Sequence, residues 1–216
     1  MGSVRTQEEH WNYTLNEWNN EYYFRDIINI LKENKIETFI DIGANVGGVA
    51  QVLFEKIPTI KNGYLFEPQK DNFNFLFLKF KDKKEIVLFN CGIFYGIKYY
   101  DALQYIETPH VGGYTVIKDE HTSNTEIYKH GGEIFQLFEL EFFNFPTIDF
   151  VKIDIEGAEY NLIENSSLLK KIKFIDIELH RGFDENYFKT HFPNHDIIYY
   201  GMYNDCVNHV LLKLTK

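Results

Sequence analysis

The chain is poor in cysteine and lacks both a basic cluster and a long apolar run, and each of these shortages excludes a class of protein. Its two cysteines, among 216 residues, provide neither a disulfide framework nor the paired spacing of a zinc site. The net charge of −10 comes without the lysine- and arginine-rich stretch that a nucleic-acid groove needs to offset phosphates. No segment reaches the roughly 20 apolar residues that span a bilayer. We therefore expect no disulfide, no bound nucleic acid and no membrane span.

The chain does contain enough apolar material for one large domain. Hydrophobic residues make up 44% of the sequence and aromatic residues 17%, which suffices for a sizeable core. We divide the chain into an N-terminal arm at residues 1–33, which begins with the cloning remnant Met1-Gly2-Ser3 and ends in a helix, and a domain at residues 34–216. The residue usage is typical of an AT-rich genome, which indicates a bacterium or a virus as the source. The scarcity of cysteine is typical of a reducing compartment, so the expected location is the cytoplasm of the bacterium or of the viral host.

The apolar periodicity alternates between that of strands and that of helices. Strands are predicted at residues 36–42, 63–67, 85–90, 148–154 and 172–178. Helices are predicted at residues 46–56, 69–80, 158–170 and 184–191. A terminal strand pair follows at residues 196–200 and 207–214. This order predicts an α/β fold, with a mostly parallel sheet, helices on both faces and an antiparallel C-terminal edge.

A glycine turn, Asp41-Ile42-Gly43-Ala44-Asn45-Val46-Gly47, joins the first predicted strand to the first predicted helix of the domain. Such a turn brings free backbone N–H groups and the positive end of the helix dipole to one place, which suits an anion. Asn45 stands where the dinucleotide fingerprint has its second glycine, which disfavours NAD and FAD. A P-loop is excluded because Gly-Lys-Ser/Thr is missing. A smaller anion, such as an amino-acid carboxylate, remains.

A carboxylate at the end of the second predicted strand complements this turn. Glu67 lies 24 residues after Gly43, about where doubly wound folds place the acid that binds ribose hydroxyls. The two segments together favour a ligand with a small anionic group, a ribose and an adenine, and S-adenosylmethionine is such a ligand. The alternative is a purely structural strand-to-helix turn.

Charged residues interrupt two later strands that are expected to be apolar on both faces. Lys152 and Asp154 share a face of the fourth predicted strand, and Asp154 and Glu156 lie at its carboxyl end, where open α/β sheets bind ligands. The next strand brings Glu178 and His180 to the same edge. We predict His180 as the first candidate for the general base and Asp154 as the second, with Glu178 orienting the histidine. The three carboxylates also have the oxygen ligands that Mg²⁺ prefers, so a metal site on Asp154, Glu156 and Glu178 stays open as the alternative.

The segment from about residue 96 to residue 145 breaks the alternation. It contains two glycine pairs and three histidines, namely Gly112-Gly113, Gly131-Gly132, His110, His121 and His130. Long irregular segments inside a domain are usually functional or disordered, and we predict that this one forms the substrate side. A solvated loop is the alternative. The histidines lack tight ligand spacing, so we expect solvated imidazoles rather than a metal site.

In the motifs described above, the chain resembles the FkbM-type family of S-adenosylmethionine-dependent O-methyltransferases. The resemblance runs from about Phe39 to His180. One departure is that the family usually has a Leu-Asp pair shortly before the Lys152 to Glu159 run, whereas the stretch here is Leu140-Glu141-Phe142-Phe143-Asn144. The segments that carry it, in the family's order, are Asp41 to Gly47, Phe66-Glu67-Pro68-Gln69, Asn90-Cys91-Gly92, Gly112-Gly113, Lys152 to Glu159 and Ile177-Glu178-Leu179-His180.

The resemblance implies the Rossmann-like seven-stranded methyltransferase fold and a distribution of roles. The glycine turn would hold the methionine end of the cofactor, through Asp41, Gly43, Asn45 and Gly47. Glu67 would bind the ribose hydroxyls. The remaining cofactor residues would be Asn90 and Cys91 beside the adenine, and Asp154 near the amino group and the transferred methyl.

The resemblance also implies the reaction, which is methyl transfer from S-adenosylmethionine to a hydroxyl group. We expect the acceptor to be a sugar or glycan, with a deoxysugar such as rhamnose as one example. Two alternatives stay open. One is O-methylation of another small metabolite, and the other is a cofactor-binding but inactive partner domain within a larger glycan-assembly protein.

Overall fold

The computed structural model describes residues 6–95, 103–107, 114–116, 134–180, 182–203 and 206–215. Several features singled out in the sequence lie outside these residues, namely Gly112-Gly113, Gly131-Gly132, His110, His121 and His130. The prediction that residues 96–145 form the substrate side therefore concerns residues of which the structure describes only part.

Helices and strands alternate along the described chain, as the periodicity predicts. The helices are α1 (Gln7–Asn20), α2 (Tyr22–Glu33), α3 (Gly48–Lys56), α4 (Lys70–Phe80), α5 (Glu159–Asn165) and α6 (Glu185–His191). The strands are β1 (Thr38–Ile42), β2 (Asn62–Phe66), β3 (Ile86–Phe89), β4 (Gly92–Ile93), β5 (Leu103–Glu107), β6 (Tyr114–Val116), β7 (Ile134–Phe135), β8 (Leu137–Phe138), β9 (Phe150–Ile153), β10 (Phe174–Glu178), β11 (His195–Tyr203) and β12 (Cys206–Leu214). Strands β5 to β8 lie within residues 96–145, where the periodicity predicts no element.

Seven strands form one sheet in the order β11-β12-β10-β9-β1-β2-β3. Strand β12 runs antiparallel to both of its neighbours, β10 and β11, whereas the pairings from β10 to β3 are all parallel. The predicted α/β fold with an antiparallel C-terminal edge is thus confirmed. The carboxyl ends of β1, β9 and β10 meet at one edge of the sheet.

Alternation along the strands divides the core into two layers. On β1, Phe39 packs into the layer that contains α1 to α4, whereas Ile40 and Ile42 pack into the layer on the other face. The register places Asp41 opposite Lys152, and Lys152 opposite Asp176, on three adjacent strands. Since these polar residues lie two positions along from Phe39 and its neighbours, they face the α1–α4 side.

The N-terminal arm packs into this layer. A capping box begins α1, in which Thr6 accepts a hydrogen bond from the backbone of Glu9 and the Glu9 carboxylate accepts one from Thr6. Trp11 and Trp18 of α1 are buried, and Thr14 lies against the start of α3. The arm therefore covers the edge of the sheet where β1 ends. None of the helices in the described residues has both the length and the apolar character that crossing a bilayer requires.

One predicted helix ends early. The spacing predicts a helix at residues 158–170, but α5 ends at Asn165. The carboxylate of Glu141 accepts hydrogen bonds from the groups that follow the helix, namely Ser166, Ser167 and Leu168. Because these groups bond to Glu141, the chain leaves the helix there. Glu141 thus has a structural role in this chain.

Candidate active site

A cavity of about 350 Å³ lies between α1 and the carboxyl ends of β1, β9 and β10. The glycine turn forms one wall, α1 and the start of α2 form the roof, and strand-end acids form the opposite wall. Its charged and imidazole-bearing lining residues are His10, Glu17, Glu21, Lys152, Asp154, Glu156, Glu178 and His209. The predicted glycine turn and the predicted acids therefore share one cavity.

The glycine turn has a backbone shape that most residues avoid. Gly43, Asn45 and Gly47 have φ angles of 83°, 51° and 87°, in the left-handed region that glycine and asparagine tolerate best. A Cβ at Gly43 would lie 1.8 Å from the backbone oxygen of Asp154. Only glycine therefore allows β1 and the end of β9 to approach this closely. The Oδ1 atom of Asn45 is buried without a hydrogen-bond partner in the described part of the chain.

Glu67 is joined to the glycine turn, as its spacing predicts. Its Oε2 accepts a hydrogen bond from the Asn45 N–H at 2.8 Å, and its Oε1 accepts one from the Gln69 N–H at 2.8 Å. Glu67 is 5% exposed, and burial raises the pKa of its carboxyl to about 8. Glu67 is not among the described residues that line the cavity.

The two residues assigned to the adenine lie next to Glu67. The side-chain amide of Asn90 donates hydrogen bonds to the carbonyl oxygens of Glu67 and Pro68, at 2.9 and 3.1 Å. Cys91 is buried, and burial raises the pKa of its thiol to about 12. The thiol therefore stays protonated and packs as a small apolar group.

Lys152 is the cation at the centre of the site. Its Nζ lies 2.9 Å from Oδ2 of Asp154, 3.9 Å from Oδ1 of Asp41 and 3.5 Å from the Gly43 oxygen. Burial disfavours the charged lysine, but the two carboxylates outweigh it and raise the pKa of Lys152. Burial also works against the Asp154 charge, yet Lys152 lowers the pKa of that carboxyl.

Asp41 is fully buried, and its situation differs from that of Asp154. Burial raises the pKa of the Asp41 carboxyl to about 6, with Lys152 as the opposing influence. Neither of its oxygens has a hydrogen-bond partner in the described part of the chain. Asp41 therefore depends on Lys152 for charge compensation.

His180 lies between two carboxylates. Its Nε2 is 3.2 Å from Oε2 of Glu156, and its Nδ1 is 2.9 Å from Oε1 of Glu159. Burial lowers the pKa of His180, but the two hydrogen-bonded carboxylates outweigh it and raise that pKa to about 11. The acids that orient His180 are therefore Glu156 and Glu159, not Glu178 as the strand pattern predicted. The assignment of His180 as the base stays a prediction, and an imidazolium with both nitrogens bonded does not favour it.

Glu159 is a residue whose part in the site the sequence reasoning missed. Its Oε1 also accepts hydrogen bonds from the backbone N–H groups of Ile155 and Gly157, at 3.2 and 2.9 Å. These bonds close the turn in which Glu156 has a φ of 53°. The sequence signal for Glu159 was an acid in the first turn of the helix. A favourable interaction with the helix dipole explains an acid at that position equally well.

Glu178 faces a second histidine that the sequence reasoning also missed. The Nε2 of His209, on β12, lies 3.6 Å from Oε2 of Glu178. Burial and the nearby Asp154 charge raise the pKa of Glu178 to about 8. The available signal was a histidine within the apolar strand that ends the chain.

The group of side chains that could hold a metal ion differs by one residue from the group that the sequence left open. One ligand atom each from Asp154, Glu178 and His180 lies within 4.8 Å of the others. The expected third ligand was Glu156, which is instead paired with His180. The carboxylates would suit Mg²⁺, but the His180 nitrogens are already bonded to Glu156 and Glu159.

Comparison with known proteins places this site in a family. The sequence profile described as the methyltransferase FkbM domain matches residues 41–200. A comparison with curated proteins gives no match. The solved structure of the methyltransferase FkbM from Methylobacillus flagellatus KT is 17% identical, with a TM-score of 0.49, and the match covers 83% of this chain. The chain spans only 44% of the length of that protein.

Two other solved structures are similar over nearly the whole chain. A candidate methyltransferase from Escherichia coli, yhhF, is 11% identical with a TM-score of 0.53, and the match covers 91% of this chain and 87% of that one. A candidate RNA methyltransferase from Pyrococcus horikoshii is 11% identical with a TM-score of 0.51, and the match covers 92% and 90%. At such identities the similarity establishes the fold.

The sheet order, the glycine turn and the acids at the carboxyl edge define a Rossmann-like fold with a ligand site at the ends of its parallel strands. The family match covers well over half of the chain. The chain belongs to the FkbM methyltransferase family, and the resemblance seen in the sequence is thereby confirmed.

Proposed function

We propose that this chain transfers a methyl group from S-adenosylmethionine to a hydroxyl of a sugar or glycan. The proposal is based on one observation, which is that the glycine turn faces Asp154, Glu178 and His209 across the same cavity. A cofactor held at the turn would present its methyl group to an acceptor on the acidic side.

The residues at the turn fit S-adenosylmethionine by their chemistry. The N-terminus of α3 offers backbone N–H groups to a carboxylate. Asp154 offers a negative charge to an ammonium group, and the unpartnered Oδ1 of Asn45 offers an acceptor. Glu67, at the end of β2, would accept hydrogen bonds from a ribose diol with the lone pairs that the two backbone N–H groups leave unused.

When bound, this cofactor supplies a methyl group that is already activated by its sulfonium. The protein then has two tasks, which are to align the acceptor hydroxyl and to take up its proton. Alignment alone supplies several kcal/mol, up to roughly 7–11 in ideal cases. A positioned base adds about 10²–10⁴-fold.

The charge of the cavity favours a neutral acceptor over a polyanionic one. Its lining contains five carboxyl groups, and its one lysine is already paired with Asp154 and Asp41. Phosphate groups would meet these carboxylates, so RNA is a poor candidate despite the RNA methyltransferases among proteins of similar fold. The rings of Tyr13 and Tyr23 line the same cavity, and an aromatic wall suits the face of a pyranose.

A methyl-transfer assay over a panel of free sugars, nucleotide sugars and oligosaccharides tests the proposal, with S-adenosylhomocysteine as the measured product. Activity on a neutral sugar acceptor is the expected result. Activity restricted to RNA or to a non-sugar metabolite would overturn the choice of acceptor. Tight S-adenosylhomocysteine binding without transfer to any acceptor would favour the inactive partner domain. Loss of activity with a chelator and its recovery with Mg²⁺ would establish the metal alternative.

A further inference from the structure

Two segments outside the family match bring a histidine and a tyrosine to the cavity. His209 lies on β12 and lines the cavity, although it is only 6% exposed. Its Nδ1 lies 3.8 Å from Oδ1 of Asp176, and its Nε2 lies 3.6 Å from Oε2 of Glu178. Tyr23, on α2, donates a hydrogen bond of 2.6 Å from its hydroxyl to the same Asp176 oxygen.

The packing holds the His209 ring in this place. The rings of Tyr23 and Phe24 lie 5.0 and 5.3 Å from it. Gly201 is paired with His209 across the β11–β12 hairpin, and a Cβ there would lie 2.7 Å from the His209 Cβ and 3.0 Å from the Tyr23 ring. The absence of a side chain at Gly201 therefore makes room for the tyrosine beside the histidine.

The arrangement has the elements of a carboxylate-oriented base. A fully buried carboxylate, Asp176, faces Nδ1, and the Tyr23 hydroxyl donates a hydrogen bond to the same oxygen of that carboxylate. The Nδ1 atom has no hydrogen-bond partner among the described residues, and its 3.8 Å distance to Asp176 is longer than a hydrogen bond. A proton on Nδ1 would face this carboxylate, which leaves the lone pair of Nε2 for Glu178 and the cavity. The Nε2 atom is thus the nitrogen that an acceptor hydroxyl would meet.

We propose that His209, oriented by Asp176 and Tyr23, takes the proton from the acceptor hydroxyl in the methyl transfer. This inference rests on the proposed function. As the hydroxyl oxygen bonds to the methyl carbon, its proton passes to Nε2 of His209, and the electron pair of the broken S–CH₃ bond stays on sulfur. Glu178, 3.6 Å from the same nitrogen, provides the next position for the proton.

Titratable groups from four elements or their ends face His209. They are Glu17, Tyr23, Asp154, Asp176 and Glu178. Burial lowers the pKa of His209, but Asp176, Glu178 and Asp154 outweigh it and raise that pKa. His209 lacks the pair of short carboxylate contacts that His180 makes with Glu156 and Glu159. Of the two histidines, His209 is therefore the one that can alternate between its protonation states.

Histidine-ring NMR on the labelled protein tests the proton-holding part without cofactor or acceptor. We expect the pKa of His209 to lie above the ordinary histidine value and the neutral ring to carry its proton on Nδ1. Tyr23→Phe, which removes only the hydroxyl, should change the pKa of His209 while the fold is retained. A neutral His209 with its proton on Nε2, or a ring that does not titrate, would overturn the proposal.

Kinetics on three histidine variants test the transfer step. His209→Asn keeps a donor near the Nδ1 position but cannot accept a proton, so kcat should fall about 10²-fold or more at unchanged affinity for S-adenosylhomocysteine. His195→Asn is the matched control, since His195 is a buried histidine on the same hairpin that contacts the Ile172 oxygen. It should retain kcat.

His180→Asn separates the two candidate bases. If His209→Asn retains kcat and its pH profile while His180→Asn loses them, the proposal is wrong. If His209→Asn does not fold, Tyr23→Phe decides, because a shifted pH–kcat profile at unchanged KM is expected only when the Tyr23–Asp176 contact tunes the base. A wild-type protein that methylates none of the sugars contradicts the proposed function, and the NMR result then decides on His209 separately.

Discussion

The two halves of the active edge hold their polar groups in different ways. At the ends of β1 to β3, backbone groups hold the side chains: Glu67 accepts from two backbone N–H groups, and Asn90 donates to two carbonyl oxygens. At the ends of β9, β10 and β12, side chains hold one another, as in the contact of Lys152 with Asp154. In the first half, which we call the rigid half, two backbone partners fix each of these polar side chains. The second half is an electrostatic network in which one substitution changes several neighbours.

The largest effect should come from removing the central cation of the network. Lys152→Met leaves Asp41 and Asp154 without their partner, and breaking a buried pair in this way costs about 3–5 kcal/mol. Chemical denaturation measures the free energy of unfolding. Lys61→Met is the matched control, because the Lys61–Glu37 pair is exposed and such pairs contribute about 1 kcal/mol or less. Equal losses in the two variants would show that the network is no more coupled than the surface.

A smaller effect is expected in the rigid half. Glu67→Ala removes the carboxyl group proposed for the ribose. Because its raised pKa leaves this group largely neutral near pH 7, each lost hydrogen bond is worth about 0.5–1.5 kcal/mol. Affinity for S-adenosylhomocysteine, which we expect in the micromolar range, should fall by at least about 10-fold in calorimetry. Glu37→Ala, at an exposed carboxylate, should bind like the wild type. An unchanged affinity in Glu67→Ala would remove this residue from the site.

The pH dependence of stability compares the two halves in one experiment. The pKa values of Glu67 and Glu178 are both raised to about 8, so the folded protein keeps protons that the unfolded chain has already released. Their contribution to stability is fully present below the usual carboxyl range and is lost as pH rises towards about 8. The pKa of His180, raised to about 11, continues the loss at higher pH.

We therefore expect the Tm of the ligand-free protein to fall by about 3 °C or more between pH 5 and pH 9. Glu67→Gln should flatten this slope, because the amide is neutral throughout. Glu37→Gln should keep the wild-type slope. A Tm that rises over this range would contradict the raised pKa values.

The smallest effect on cofactor binding should come from the substrate-side segment. Gly112 and Gly113 lie outside the described residues, and their replacement by alanine should leave the affinity for S-adenosylhomocysteine nearly unchanged while methyl transfer falls. Calorimetry and the transfer assay measure the two quantities on the same protein. Loss of cofactor binding in a folded variant would show that this segment contributes to the cofactor site as well.

The sequence predicts the rigid half well because its signals are local. Gly43, Asn45 and Glu67 lie in turns and strand ends whose backbone geometry depends on the residues next to them, and the Asn45 N–H bonds to the Glu67 carboxyl group. The end of α5 was predicted less well, because a carboxylate distant in the chain, that of Glu141, draws the backbone out of the helix.

The network half illustrates the limit of the same reasoning. Alternation placed Lys152 and Asp154 on one face, but it assigned Glu178 as the partner of His180, and the structure shows Glu156 and Glu159 instead. The one sequence signal of His209, a histidine within an apolar strand, was too weak to assign a role, since such a histidine is common. Its position beside Asp176 follows from the register of β12 on β10 and from Tyr23.

The sequence by itself determined the α/β order, the glycine turn, the acid after β2 and the family, because periodicity, glycine placement and short motifs depend on neighbours along the chain. Only the tertiary structure decided which acid meets which histidine and that the N-terminal helices roof the cavity. Those contacts join residues such as Tyr23 and Asp176, which are 153 positions apart. Their geometry is set by strand register and helix packing, and no local pattern contains that information.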